Sequence, residues 1–316
     1  MNEETSIFEL VVLSGKGGTG KTSVTASLAA LAEKPALADC DVDASNLPLV
    51  LDPRIQRRET FSGGLRARIK PGLCTACGKC EELCRFDAIF FDGPGNGNVP
   101  RTFRVDPSAC EGCGVCAHFC AEHAIELAPA DGGELLLSDT RFGPLIHARL
   151  RPGQGNSGKL ATLVREQARR TACKAGCRFI LIDGPPGVGC PVMASLTGAT
   201  RILLVTEPTP SGEHDLERVL MLARHFQIPA WVSVNKHDLN PAMTAQIERR
   251  AAALGATIVG RIPYDPAVTA AQRQGRPVVE YNHDGPAAQA IIQLWKNLSA
   301  NFTNLVFDHF QPVSAR

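Results

Sequence analysis

Phe8-Glu-Leu-Val-Val-Leu13 runs without a break into Ser14-Gly15-Lys16-Gly17-Gly18-Thr19-Gly20-Lys21-Thr22, and Ser23 to Glu33 continues as an alanine-rich stretch. An apolar strand, a glycine loop and a helix in that order predict a phosphate-binding turn. The glycines let successive backbone N–H groups turn inward around phosphate oxygens at a helix N-terminus, where the helix dipole also favours anions. Lys21 is placed to neutralise charge on the outer phosphates and Thr22 to hold Mg²⁺. A glycine-rich turn without a ligand would have no need of Lys and Thr at those offsets.

Lys16 adds a second lysine near the start of the loop, and with it the chain resembles the deviant Walker A ATPases, the family of MinD, ParA and the nitrogenase iron protein. The resemblance, to the CobQ/CobB/MinD/ParA nucleotide-binding domain, implies an α/β fold around a mostly parallel sheet of the SIMIBI P-loop NTPase type. It implies that Lys16 reaches across a homodimer closed by ATP, and that Gly15 through Ser23 cradle the nucleotide. Asp39-Cys-Asp41-Val-Asp43-Ala-Ser-Asn46 looks like the family's switch I. Asp41 and Asp43 are its candidates for placing the attacking water, since phosphoryl transfer asks mainly for positioning and charge neutralisation. At least one of the three aspartates is expected to be a turn or cap residue instead. Phe179-Ile-Leu-Ile-Asp183-Gly-Pro-Pro-Gly187 resembles the Walker B strand and switch II, which implies that Asp183 holds a Mg²⁺-bound water. Asn235, in Asn235-Lys-His-Asp238, and Pro263, in Gly260-Arg-Ile-Pro263-Tyr-Asp265, match the family's adenine-side loops. ATP therefore leads GTP, and Asp238 keeps the second open.

Between these motifs lie two cysteine runs of identical spacing, Cys74-x2-Cys77-x2-Cys80-x3-Cys84 and Cys110-x2-Cys113-x2-Cys116-x3-Cys120. C-x2-C-x2-C lets a tight loop offer three thiolates to one cubane, and in two-cluster ferredoxins the fourth cysteine of each run serves the other cluster. The assignment is Cys74, Cys77, Cys80 and Cys120 to one [4Fe-4S] cluster, and Cys84, Cys110, Cys113 and Cys116 to the second. Ala88-Ile89 recurs as Ala124-Ile125, as a duplicated unit would leave it. The segment resembles the bacterial two-cluster ferredoxin module, although Arg85 and Ala121 stand where that pattern usually has proline. Structural zinc usually recruits two separated ligand pairs rather than a repeated run of four, and a disulfide framework needs an oxidising compartment.

The 316 residues, 44% hydrophobic, suit one large and one small domain. A net charge of +1 argues against nucleic-acid binding as the main activity. No apolar run reaches bilayer-spanning length, so stable membrane insertion is not expected, and the tail from Asn301 to Phe310 lacks the Lys and Arg that would meet anionic lipid. Met1 to Thr5 lacks a secretory n-region. With 12 cysteines and no export signal, a reducing cytoplasm is expected.

Composition and periodicity change near Phe61 and again near Ala130. The expected organisation is an ATPase domain in two parts, residues 1–60 and 131–316, with a small α+β ferredoxin-type domain inserted at residues 61–130, between switch I and the next strand. Cys40, Cys173, Cys177 and Cys190 remain over. Cys190 stands seven residues after Asp183, as does one cluster-ligating cysteine of the nitrogenase iron protein, which makes it a candidate interface metal or cluster ligand. In the loop Pro152 to Gly158, Asn156 occupies the place of that protein's other ligand. The leading expectation is an ATPase coupling dimer closure to electron delivery, through two clusters, to a redox protein partner. The alternative is an ATP-dependent carrier of clusters or metal to an apo-protein target, using Cys190 or the Cys173/Cys177 pair.

Overall fold

A computed structural model describes residues 7–151 and 156–308, with the side chains of 301–308 excepted. The expectations placed on the N-terminus, on residues 152–155 of the loop before Gly158 and on the C-terminal tail lie outside the described residues. The chain divides into two compact units.

The larger unit comprises residues up to Arg58, Leu135–Arg149 and Ser157 onward. Its first elements are β1 (Phe8–Ser14), α1 (Lys21–Leu31), β2 (Ala36–Asp39), α2 (Leu47–Leu51) and β3 (Arg54–Phe61). The smaller unit, Glu59–Glu134 with Leu150–Asn156, holds β4 (Leu65–Ile69), α3 (Lys79–Glu82), β5 (Ile89–Gly93), β6 (Thr102–Val105), α4 (Val115–His118) and β7 (Ile125–Pro129). The chain then supplies β8 (Gly133–Asp139), β9 (Pro144–Leu150), α5 (Ser157–Ala175), β10 (Phe179–Pro186), α6 (Cys190–Leu196), β11 (Arg201–Thr206) and α7 (Pro210–His225). It closes with β12 (Ala230–Asn235), α8 (Pro241–Ala253), β13 (Thr257–Ile262), α9 (Pro266–Arg273), α10 (Val278–Tyr281) and α11 (Pro286–Asp308).

Nine strands form one sheet in the order β13-β12-β11-β1-β10-β2-β9-β8-β3. Every pairing from β13 to β9 is parallel. Parallel strands covered on both faces read as continuous apolar runs, and all seven residues of β1 are buried. Its one carboxylate, Glu9, is answered by Arg165 of α5, whose Nε and Nη2 lie 2.9 and 2.6 Å from Oε2. The edge strand β3 escaped the sequence pattern for a physical reason. Its residues Arg-Ile-Gln-Arg-Arg-Glu-Thr-Phe are largely solvent-exposed, and charge on an edge strand discourages pairing with other chains.

His147 on β9 is buried, with Nε2 2.9 Å from Ser138 Oγ and no hydrogen-bond partner for Nδ1. Burial, and after it Arg149 and Arg58, push its pKa down to about 4. The imidazole is neutral in the fold, while the unfolded chain takes up a proton near pH 6.5. Its contribution is therefore present above about pH 6.5 and is lost as pH falls towards 4. Urea unfolding should show His147→Gln reducing the loss of stability between pH 7 and 5 by about 2 kcal/mol relative to the parent. Identical pH slopes would refute this assignment.

The smaller unit is a duplication offset by 36 residues. β4 pairs antiparallel with β7 and β5 with β6, so each half lends a strand to the other. Lys70 N donates to Ala124 O and, one repeat on, Asp106 N donates to Ala88 O, both at 2.7 Å. Left-handed backbone recurs in register at Ala76 and Gly112 (φ 61 and 66°), Gly78 and Gly114 (both 81°), and Asp87 and His123 (both 48°). Gly112 is irreplaceable on steric grounds, since a Cβ there would lie 1.9 Å from Leu65 O.

Candidate functional site

The C-terminal ends of the parallel strands converge on an open cleft, the place where ligands sit on such sheets. The loop from β1 into α1 forms its floor. Gly18 and Gly20 have φ of 82 and 91°, which glycine adopts without strain. A Cβ on Gly15 would stand 2.2 Å from Asp215 Cβ, and one on Gly20 2.3 Å from Asn235 Nδ2. Thr19 Oγ1 is buried without a hydrogen-bond partner. A phosphate oxygen would satisfy that orphaned group.

At the first turn of α1, Lys21 Nζ lies 2.8 Å from Asp183 Oδ1 and 3.9 Å from Asp41 Oδ2, and Thr22 Oγ1 donates to Asp183 Oδ2 at 2.7 Å. Thr25, one turn further, approaches Asp183 Oδ1 at 2.9 Å. Burial pulls the Lys21 pKa down, but Asp183, Asp39 and Asp41 outweigh it and hold the ammonium above its ordinary range. Burial and the charge of Asp183 push Asp39 up to about 8. Asp41 is pushed up to about 6, chiefly by burial, with Lys21 opposing. The crowding of carboxylates around one buried ammonium, which raises Asp39 and Asp41, would be relieved by a divalent cation beside Thr22 and Asp183. The residues present therefore fit Mg²⁺.

The three switch aspartates have different places. Asp39 is fully buried and accepts from Asp41 N (3.1 Å), Ser45 Oγ (2.8 Å) and Leu47 N (3.1 Å), which makes it the residue that shapes the turn. Asp41 and Asp43 both face the cleft, Asp41 half-buried beside Lys21 and Asp43 exposed.

Lys16 folds back within its own chain. Its Nζ lies 2.7 Å from Glu207 Oε1 and 2.9 Å from Ser211 Oγ, while Lys236 reaches the other oxygen of Glu207 at 3.2 Å. Asn235 lines the cleft, but one amide hydrogen is committed to Thr19 O at 2.7 Å and its oxygen accepts from Lys236 N. Asp238 Oδ1 accepts from Tyr264 N at 2.7 Å, which ties the loop after β12 to the Pro263–Asp265 loop. Ser23 is bonded by Gln272 Nε2 at 2.6 Å. Glu207, Thr25 and Gln272 were not picked out in the sequence. The position of Glu207 just after a buried strand was the one available signal.

In the smaller unit, Cys74, Cys77, Cys80 and Cys120 line one cavity and Cys84, Cys110, Cys113 and Cys116 another. Ala88 N donates to Cys84 Sγ at 3.4 Å and, one repeat later, Ala124 N donates to Cys120 Sγ at 3.3 Å. Burial leads in holding the Cys80 thiol up at about 11, and burial likewise raises Cys116, with neighbouring thiols adding in each case. Among the described residues no three His, Cys, Asp or Glu side chains close on a single metal ion.

The remaining cysteines are dispersed. Cys40 is buried, its Sγ 3.7 Å from Ala161 O, and burial pushes the thiol up to about 12. Cys190 is exposed at the start of α6, against Gly158, where a Cβ would lie 3.2 Å from that of Cys190. Cys173 lies near the other end of α5, about 22 Å from Gly158 at the helical rise per residue. It is exposed and Cys177 is buried, so this pair and Cys190 do not meet within one chain.

A parallel sheet, a glycine loop with two lysines and a Walker B aspartate on its threonine define a nucleotide-binding P-loop ATPase of the MinD/ParA type. The model of the CobQ/CobB/MinD/ParA nucleotide binding domain matches residues 10–278, and the chain belongs to that family. An uncharacterised protein of Methanocaldococcus jannaschii is 33% identical over 243 residues, covering 74% of this chain and 80% of its own. The septum site-determining protein MinD of Synechocystis is 25% identical over 280 residues, covering 85% and 81%. Among solved structures, the septum site-determining protein MinD from Pyrococcus horikoshii, complexed with Mg-ADP, superimposes with a TM-score of 0.58 at 19% identity, covering 95% of this chain and 99% of that one. No helix among the described residues is long and apolar enough to cross a membrane.

Proposed function

We propose that this ATPase closes as a homodimer around Mg-ATP and couples that closure to electron transfer, through two [4Fe-4S] clusters, to a redox protein partner. The observation that carries the reading is the grouping of the cysteines. Each cavity takes three thiols from one run and the fourth from the other, the exchange characteristic of two-cluster ferredoxins. Four thiols around one cavity suit a cluster that takes one thiolate on each of four irons. When bound, such clusters supply one-electron transfer at a potential set by hydrogen bonds and solvent exposure. In the chain, the Asp39 to Asn46 turn leads through α2 and β3 directly into the cysteine-bearing unit. A change at the nucleotide thus has a short covalent route to it.

Anaerobically purified protein should contain about eight iron and eight sulfide per chain. Redox titration with and without Mg-ATP then tests the coupling. Unchanged potentials, together with ATP-independent electron transfer to every acceptor tried, would sink it. A related result is expected at Lys16. Removing its intrachain partner by Glu207→Gln should let the chain dimerise at about three- to fivefold lower ATP concentration, the scale of a partly exposed ion pair. Light scattering against ATP concentration would read this, and an unmoved midpoint would show that Glu207 does not compete with the partner chain.

The exposed thiol of Cys190, on the helix that follows the Asp183 loop, keeps a second reading in play, an ATP-dependent carrier of clusters or metal to an apo-protein. Transfer of labelled iron to an apo-target distinguishes the two. A Cys190→Ala variant that transfers normally would count against that site.

A further inference from the structure

The two halves of the smaller unit match in strand exchange, amide-to-sulfur bonds and left-handed positions, and they differ in how the first cysteine of each run is anchored. In the second half the side-chain brace is local. Cys110 N donates to Asp106 O at 3.1 Å, and Asp106 Oδ1 accepts from Ser108 N at 2.8 Å and Ser108 Oγ at 2.6 Å. One repeat earlier Lys70 takes the place of Asp106, and its ammonium is spent on Glu126 at 2.5 Å. The turn before Cys74 keeps its own backbone bonds, Leu73 N to Lys70 O at 3.1 Å and Cys74 N to Pro71 O at 3.0 Å, and its side-chain brace comes from further along the chain instead of from Lys70. Asn96, between β5 and β6, donates through Nδ2 to Pro71 O at 2.7 Å and to Cys74 O at 2.8 Å. Its Oδ1 accepts from Asn98 N and Val99 N, each at 3.0 Å. Both amide hydrogens and both oxygen lone pairs are engaged.

We propose that Asn96 is the positioning residue for the site of Cys74, Cys77, Cys80 and Cys120, and that Asp106 has the corresponding role for the site of Cys84, Cys110, Cys113 and Cys116. The inference rests on the cluster reading above. Asn96 bonds the backbone of a ligand residue itself, and none of its side-chain hydrogen bonds reaches the other quartet, so its loss leaves the Cys74 turn with its backbone bonds alone. The two sites then differ in the side chain that braces the turn, one from a distant loop and the other from within the turn itself.

The test compares Asn96→Ala, Asn96→Asp and Asp106→Ala, purified anaerobically, by iron and sulfide content, by the rate of iron loss to a chelator, and by electron paramagnetic resonance of the reduced protein. Cys77→Ala and Cys113→Ala provide reference spectra for the lone second and lone first site, and ATP binding serves as the folding control. Asn96→Ala should lose iron from one site at least about tenfold faster than from the other, leaving about four irons and the spectrum of Cys77→Ala. Asn96→Asp should do the same, because a carboxylate then faces two carbonyl oxygens. Asp106→Ala should leave the spectrum of Cys113→Ala. Parent protein with about eight irons whose Asn96 variants lose both sites equally, or neither, overturns the inference alone. Parent protein without those irons overturns the cluster reading and the inference with it.

Discussion

Asp41→Asn is expected to slow ATP hydrolysis by about 10²- to 10⁴-fold, the range for losing a positioned carboxylate in proton transfer, while nucleotide affinity changes no more than a few-fold. Asp41 Oδ2 stands 3.9 Å from Lys21 Nζ, the ammonium that would neutralise charge on the outer phosphates of a bound nucleotide. Asp43 lies exposed at the mouth of the same cleft, and Asp43→Asn should stay within a few-fold of the parent. Asp39→Asn belongs to another category. Its carboxylate closes the turn through three hydrogen bonds in a fully buried position, so the amide should lower stability before it touches chemistry. Single-turnover phosphate release beside equilibrium nucleotide binding separates these outcomes. Loss of turnover in Asp43→Asn with normal turnover in Asp41→Asn would reverse the assignment.

The second large effect is expected at Lys16. Lys16→Gln should abolish ATP-dependent dimerisation and reduce hydrolysis by about 10³-fold or more, the scale on which a cation supplied in trans accelerates phosphoryl transfer. Binding of Mg-ATP to the single chain should persist within a few-fold, because Lys21 and the loop amides remain. The geometry gives this prediction its form. In the single chain Lys16 lies against Glu207 and Ser211, a position from which it must swing to meet a partner's nucleotide. Light scattering and turnover measured on the same samples decide the matter. A Lys16→Gln protein that dimerises with ATP and hydrolyses it at the parent rate would remove the cross-dimer role.

Part of the site was legible in the chain because its chemistry is local. The offsets of Lys16, Lys21 and Thr22 within one loop are set by the backbone turn they serve, and Asp183 announces itself at the end of an apolar strand. Four other features were not legible, each for a physical reason. β3 carries too many exposed charges to show an apolar alternation. The three switch aspartates look alike until burial distinguishes Asp39. Asn235 reads as a base contact, yet one of its amide hydrogens braces Thr19 O. Cys173 and Cys177 are separated from Cys190 by the length of α5, a distance that spacing in sequence does not reveal.

The sequence by itself determined the class of fold, the phosphate loop, the Walker B aspartate and the duplicated cysteine spacing. Each of these depends on residues within a few positions of one another, where backbone geometry leaves little choice. Tertiary structure decided which of the three switch aspartates stands beside Lys21, that Glu207 holds Lys16, that Asp238 ties two loops together, and that Asn96 supplies the side-chain hydrogen bonds to the Cys74 turn. Those contacts join residues 20 to 191 positions apart, and strand register and helix packing, which no local pattern records, set their distances.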